Sequence, residues 1–157
     1  MMAIMLKKCV RALIINNDKE LLLIQLGHLD QPYWHIAGGT LEKGESPKEA
    51  LVREIWEETG LKDIEIGPQI GYGVSTTDYN KTIMQRQHRF FVVRTSEKTL
   101  KPGLLTEWEQ KNFLQQAWFS ADKIPESLYP KALRPYLPDI LFGKYPPEPL
   151  EIDMRRQ

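Results

Sequence analysis

The sequence predicts an α/β (α+β) layered domain with a mixed sheet. Short apolar, β-branched runs lie on both sides of one strongly signalled helix, and a second helical stretch comes late. With 157 residues, 41% of them apolar, the chain suits one core, and the expectation is a single domain over 1–157.

The elements follow in order. Val10–Ile15 is an apolar run ending at Asn16-Asn17-Asp18, a turn, and Leu21–Gln25 resumes as the second arm of a hairpin. Gly27–Pro32 reads as a loop and Tyr33–Ala37 as a third strand running into Gly38-Gly39. Ser46 suits a helix N-cap, Pro47 the first helical position, and Glu49 completes a capping box, while Gly60 supplies a left-handed stop. Ile64–Ile66, Ile70–Val74 and Arg89–Arg94 read as strands. Lys111–Gln116 reads as a short helix before the strand Ala117-Trp118-Phe119. Beyond Pro125 prolines recur; Leu133–Phe142 is a short terminal helix weakened by two of them, and Gly143–Gln157 an extended or mobile end.

Composition narrows the function. The 21 basic and 21 acidic residues cancel, so no overall positive field draws in duplex nucleic acid. One cysteine, Cys9, excludes an intramolecular disulfide framework and a multi-Cys zinc site, and fits a small hydrophobe in a strand. Lys7, Lys8 and Arg11 interrupt the apolar start, and no apolar run is long enough to span a membrane. A cytoplasmic location is expected, with no membrane partner.

On a helical wheel Leu51, Val52, Ile55 and Thr59 cluster on one side, which should pack on a sheet. Glu54, Glu57 and Glu58 fall together on another, at spacings where like charges repel by roughly 0.2–0.5 kcal/mol per pair. They also crowd the helix C-terminus, where the dipole disfavours negative charge. Taken alone such acids read as a solvated face. A hard divalent cation would relieve the repulsion, and Mg²⁺ is commonly held by a few carboxylates together with water and phosphate oxygens. Gly38-Gly39, upstream, lets the backbone come close to a metal or phosphate.

From Gly39 the chain gives Glu45, Arg53-Glu54-Ile55, Glu57-Glu58 and Gly60-Leu61. This resembles the Nudix hydrolase family, whose signature is G-x5-E-x7-R-E-U-x-E-E-x-G-U with U aliphatic, and every specified position matches over Gly39–Leu61. The resemblance implies a Nudix-type α/β/α sandwich with a mixed central β-sheet, and cleavage of a diphosphate linkage in a nucleoside diphosphate derivative such as a nucleoside triphosphate or dinucleoside polyphosphate. It implies Mg²⁺ or Mn²⁺ held by Glu54, Glu57 and Glu58 with the Gly38 carbonyl, polarising the diphosphate and a water. Gly39, Glu45 and Gly60 would support the site, with Glu45 pairing to Arg53. The catalytic set is Arg53, Glu54 and Glu109. The base stays open between Glu54, Glu107 and Glu109, with Glu109 favoured for its distance from the Trp118 strand. One departure is Ala37-Gly38-Gly39 where many relatives have Pro-Gly-Gly, which should loosen the approach without removing a ligand.

For substrate contacts the expectation is Arg11 and Arg89, with Arg86 beside them, for phosphates, and Trp34 and Tyr79 for stacking on a base. Tyr33 and Tyr72 are further aromatic candidates. Tyr79 lies eighteen residues after Leu61, a spacing resembling that of dinucleoside polyphosphate hydrolases of the family. His28, His35 and His88 show no metal-ligand spacing. A binding or regulatory module without turnover is the rival reading; against it, every motif acid is kept.

Overall fold

In the computed structural model, which describes residues 3–156, the run predicted over Val10–Ile15 is the inner half of a longer strand, β1 (Ala3–Ile15). Asn16 makes the turn after it, its Oδ1 accepting from the amides of Asp18 and Glu20, and β2 (Leu21–Leu26) returns antiparallel. The third predicted strand is two: β3 (Tyr33–His35) pairs with β2, whereas β4 (Ala37–Thr40) crosses to β1. The two strands expected over Ile64–Val74 are one, β5 (Ile64–Tyr79), because irregular register near Gln69 lets the ladder continue past Gly67-Pro68. It pairs antiparallel with β6 (Thr82–Thr95), which runs parallel to β1 over its full length. Later come β7 (Phe113–Phe119) on β2, β8 (Leu128–Tyr129) on β3 and β9 (Leu150–Glu151) on β5. Among the described residues the result is one mixed sheet in the order β8-β3-β2-β1-β6-β5-β9, with β4 and β7 joined to β1 and β2.

Side chains alternate between the two faces and build two cores. Val10, Ala12, Ile14, Leu22, Ile24 and Val93 face the long helix α1 (Pro47–Thr59) through Ala50, Leu51 and Ile55. Leu13, Ile15, Leu21, Leu23, Phe90 and Val92 face Leu133, Leu137, Ile140 and Leu141 of the later helical segment. The helices therefore cover opposite faces, the layering expected of the family. Val52 is exposed, contrary to the wheel; the buried stripe is narrower and centres on Leu51, Ile55 and Thr59. The helix near Lys111–Gln116 is earlier in the chain, α2 (Glu107–Asn112), since the Thr106–Glu109 capping box sets its start and β7 takes Phe113 onward. Leu133–Phe142 divides into a 3₁₀ stretch, Lys131–Tyr136, and a short helix α3 (Leu137–Leu141), a break consistent with its prolines. The stretch over 143–156 is anchored: β9 adds to the sheet edge, and Ile152 and Met154 are buried in the second core.

Ser46 caps α1 as predicted, its Oγ accepting from the Glu49 amide while Glu49 accepts from the Ser46 amide. At the other end Gly60 has φ 78° and donates its N–H to the Trp56 carbonyl. The remaining carbonyls of the last turn are met from outside: Glu57 by the amides of Gly103 and Leu104, Glu58 by Gln116 Nε2, and Thr59 by the Lys101 amide. The segment 101–104 is thus a lid on the helix C-terminus. A Cβ on Gly60 would collide with the Lys101 carbonyl. We expect Gly60→Ala to lower stability by on the order of 1–3 kcal/mol, read from urea denaturation midpoints; a change within about 0.5 kcal/mol, ordinary for a surface substitution, would show that the contact is not needed.

Candidate active site

The helix and the strand before it converge on one guanidinium. Arg53 Nε donates to Glu45 Oε2 at 2.7 Å and Nη2 to Glu45 Oε1 at 2.8 Å, a two-point pairing. Nη2 also donates to the Thr40 carbonyl at 3.0 Å, and Nη1 to Glu54 Oε1 at 2.9 Å and Glu57 Oε2 at 3.3 Å. Its fork of donors is therefore occupied by the protein, and Arg53 positions α1 and its carboxylates against the loop holding Glu45; it is not available as a substrate contact.

Glu58 is 1% exposed. Its Oε1 accepts from the Gly38 amide at 2.8 Å, which ties the last turn of α1 to β4. Desolvation pushes the Glu58 carboxyl well above the usual range, reinforced by the charges of Glu54 and Glu109 and opposed by Arg11 and the Gly38 bond. Glu54 is raised too, by burial first, despite its bond from Arg53. A Cβ at Gly39 would run into the Glu54 carboxylate, so glycine there lets that carboxylate keep its place.

Behind these acids opens a cleft of about 1180 Å³, lined by Glu54, Glu57, Glu58 and Glu109 and also by Arg11 and Arg86. Arg11 donates from Nε to His88 Nδ1 at 3.2 Å and from Nη1 to the Ile36 carbonyl at 3.2 Å. A His88 Nδ1 that accepts from arginine leaves the proton on Nε2, which donates to Ser75 Oγ at 2.8 Å. Burial, aided by Arg11 and Arg86, brings His88 down to about 3, so the ring is neutral at ordinary pH. The Ser75–His88 pair consequently has the polarity opposite to that of a nucleophile and its base.

Of the predicted contacts, Arg11 and Glu109 line the cleft and Glu107 does not. Glu109 sits at the third position of α2, one oxygen accepting from the Thr106 amide at 2.9 Å. Two expectations need correction. Trp34 is buried in the second core with its ring edge-on to Phe119, 4.9 Å between centroids, and does not face the cleft. Arg89 bonds Gln69 and lies over Phe91 on the opposite side of β6, since Arg86, His88 and Phe90 are the cleft-lining residues of that strand. The side chain of Tyr79 lies outside the described ones. Ser75, His88, His35, Tyr129, Trp108, Arg155 and Arg156 line the cleft without having been singled out as site residues; they come from six separated stretches of chain, and no local pattern joins them.

The donor set fits a hard divalent cation. Partly or fully buried carboxylates on adjacent turns stand beside Arg53, whose charge Glu45 already shares, and oxygen donors of this kind suit Mg²⁺ or Mn²⁺. Among the described residues no three such groups converge on one point, since Glu54 and Glu57 face Arg53 while Glu58 faces Gly38.

A family model described as the NUDIX domain matches residues 5–140. The chain is 30% identical over 123 residues to a putative 8-oxo-dGTP diphosphatase of Bacillus subtilis (strain 168), covering 78% of this chain and 72% of that protein. It is 24% identical over 139 residues to an RNA pyrophosphohydrolase of Roseobacter denitrificans, covering 79% and 82%. Among solved structures, an ADP-ribose pyrophosphatase from Streptococcus suis superposes with a TM-score of 0.61 at 22% identity, covering 92% of this chain and 97% of that one, a likeness of fold.

The bond from Arg53 holds the Glu45 carboxyl down to about 2. A carboxylate depressed in the folded state stabilises it fully above the ordinary value, and that contribution is lost as pH falls from about 4.5 towards about 2. Glu45→Gln is expected to lower stability at pH 7, with the gap to the parent closing across that acid window. Denaturant titrations over pH read it; a gap that stays constant into acid would count against the pairing.

Proposed function

The chain belongs to the Nudix family of hydrolases, and from that premise we propose that it cleaves a diphosphate linkage in a nucleoside diphosphate derivative, using Mg²⁺ or Mn²⁺ held by Glu54, Glu57 and Glu58 with the Gly38 carbonyl. The single observation that carries this reading is that the partly buried Glu54 and the buried Glu58 line one cleft together with Arg11 and Arg86. A phosphate chain in this cleft would meet the arginines and, when bound, the cation held by the acids. The named relatives differ in substrate, as a modified nucleoside triphosphate, RNA and ADP-ribose, but their names share cleavage of a diphosphate. That shared chemistry is what we carry over; a nucleoside triphosphate or a dinucleoside polyphosphate is a fitting substrate.

The bound cation supplies Lewis acidity to the diphosphate oxygens and acidifies the attacking water. The protein's own groups do the rest. Glu109, which lines the cleft with the helix acids, takes the proton of the water that attacks phosphorus. Its position in a capping box fixes the carboxylate by one oxygen and leaves the other for that role. Arg11, held by His88 and Ile36, and Arg86 bind the phosphate oxygens. Arg53 acts through the carboxylates it positions.

A screen of nucleoside triphosphates, dinucleoside polyphosphates and nucleotide sugars with Mg²⁺, with products identified, tests the reading: diphosphate cleavage that stops in excess EDTA is expected, and no cleavage in any class rejects it. With the best substrate, Glu109→Gln should lower kcat by on the order of 10²–10⁴ with little change in KM. Glu107→Gln should be near parental and Glu54→Gln should impair both rate and Mg²⁺ affinity. A parental Glu109→Gln alongside a Glu54→Gln that stays slow at saturating Mg²⁺ moves the base to the helix.

A further inference from the structure

The cleft has a second end, away from the helix acids, with a chemistry of its own. Tyr33 and Tyr129 stand edge to face, 6.2 Å between centroids, and His28 bridges Tyr33 to Trp108 at 5.5 and 4.9 Å. The segment Ile152–Arg156 is laid across this end. β9 pairs with β5, the Ile152 amide donates to the Tyr72 carbonyl at 2.7 Å, and the Tyr129 hydroxyl donates to the Met154 carbonyl at 2.7 Å. Thus anchored, the segment brings the Arg156 guanidinium 3.9 Å from the Tyr129 ring centroid and 4.6 Å from that of Tyr33, with Nη2 donating to the Tyr33 hydroxyl at 3.2 Å. Arg156 is exposed and lines the cleft, so part of its guanidinium is open to the cleft beside the rings. Beside it, His35 Nε2 is buried and has no hydrogen-bond partner. A buried polar atom left so is costly unless water or a ligand completes it.

Flat rings, a flat guanidinium and an imidazole nitrogen wanting a partner match a planar heterocycle with a hydrogen-bonding edge. A bare phosphate would use the charge of Arg156 but neither the rings nor the plane. We propose that this end of the cleft receives the substrate's nucleobase, stacked on the Arg156 guanidinium and hydrogen-bonded by His35, and that the Ile152–Arg156 segment is therefore part of the substrate site. The proposal rests on the hydrolase reading for its supposition that the substrate is a nucleotide; the binding itself needs no turnover.

The test is equilibrium binding, by calorimetry, of adenosine, guanosine, cytidine and uridine 5′-monophosphates against ribose 5-phosphate, which lacks only the base. The parent should bind at least one monophosphate about tenfold or more tighter than ribose 5-phosphate, the scale of one stacked base. Arg156→Ala should remove most of that preference without altering ribose 5-phosphate binding. Arg156→Lys should not restore it, because an ammonium keeps the charge and loses the plane. Arg156 is exposed, so folding is not at issue. Absence of base preference in the parent overturns the proposal, as does an Arg156→Ala variant that keeps it. Equal weakening of both ligand types, rescued by lysine, marks a phosphate contact and also overturns it. Base preference without diphosphate cleavage would reject the hydrolase reading alone, and cleavage without base preference would reject this one alone.

Discussion

Glu58 carries its carboxylate at the C-terminal end of a helix, almost fully excluded from water, with one amide, that of Gly38, as its hydrogen-bond donor. Water removal costs an ion several kcal/mol even after relaxation, and here the helix dipole and the neighbouring Glu54 and Glu109 push the same way. Most of the site can be understood as what it takes to keep that group in place. β4 must pass close enough for the Gly38 amide to reach it, and there the positive φ of Gly38 and the Val10 carbonyl leave no room for a Cβ. The helix must be held against the sheet, which Leu51 and Ile55 do from its buried stripe. Its last four carbonyls must be satisfied from elsewhere, which the segment 101–104 and Gln116 do.

The cleft holds both signs of charge. Its carboxylates come from α1 and α2, and Arg11 and Arg86 from the parallel pair β1 and β6, with Arg11 in register with Gly38, whose amide bonds Glu58. Arg53 would otherwise be a third cation, yet its donors are taken by Glu45, Glu54, Glu57 and Thr40, so it orders the acidic wall from behind. His88 is kept neutral by burial and by the arginines beside it, and its fixed tautomer holds Arg11 without adding charge. A polyanion and a cation can then share the space, each facing its complement.

What was legible in the sequence was local. Ser46, Pro47, Glu49 and Gly60 fix the limits of α1 by contacts within a turn, and the spacing of Glu54, Glu57 and Glu58 follows from helix geometry. The Glu45–Arg53 bond came with the family resemblance and is present at two points. What failed depended on tertiary choices. Arg89 and Arg86 are both cations on one strand whose two faces are each buried further along, at Phe90 and Phe91, so which parity meets the cleft is decided by the tertiary fold and not by the local pattern. Trp34 alternates into a core made by Phe119, a residue far along the chain. The stretch after Gly143 looks loose because its apolar residues, Ile152 and Met154, are isolated among prolines and charges; they are held by an open sheet edge at β5, which local composition does not reveal. Ser75, His88 and Arg11 meet only because β5, β6 and β1 lie side by side.

The central claim is that the buried acids of α1 are a cation site, with Glu58 one of its ligands. The most direct test is the melting temperature of the parent and of Glu58→Gln, each with and without Mg²⁺, because a ligand that binds only the folded state stabilises it in proportion to its affinity. Without the metal, Glu58→Gln should be as stable as the parent or slightly more so, since a buried charge and its repulsion with Glu54 are gone. On adding Mg²⁺ the parent should gain stability and the variant should gain much less. An equal Mg²⁺-induced rise in both proteins, or none in the parent, would contradict the account.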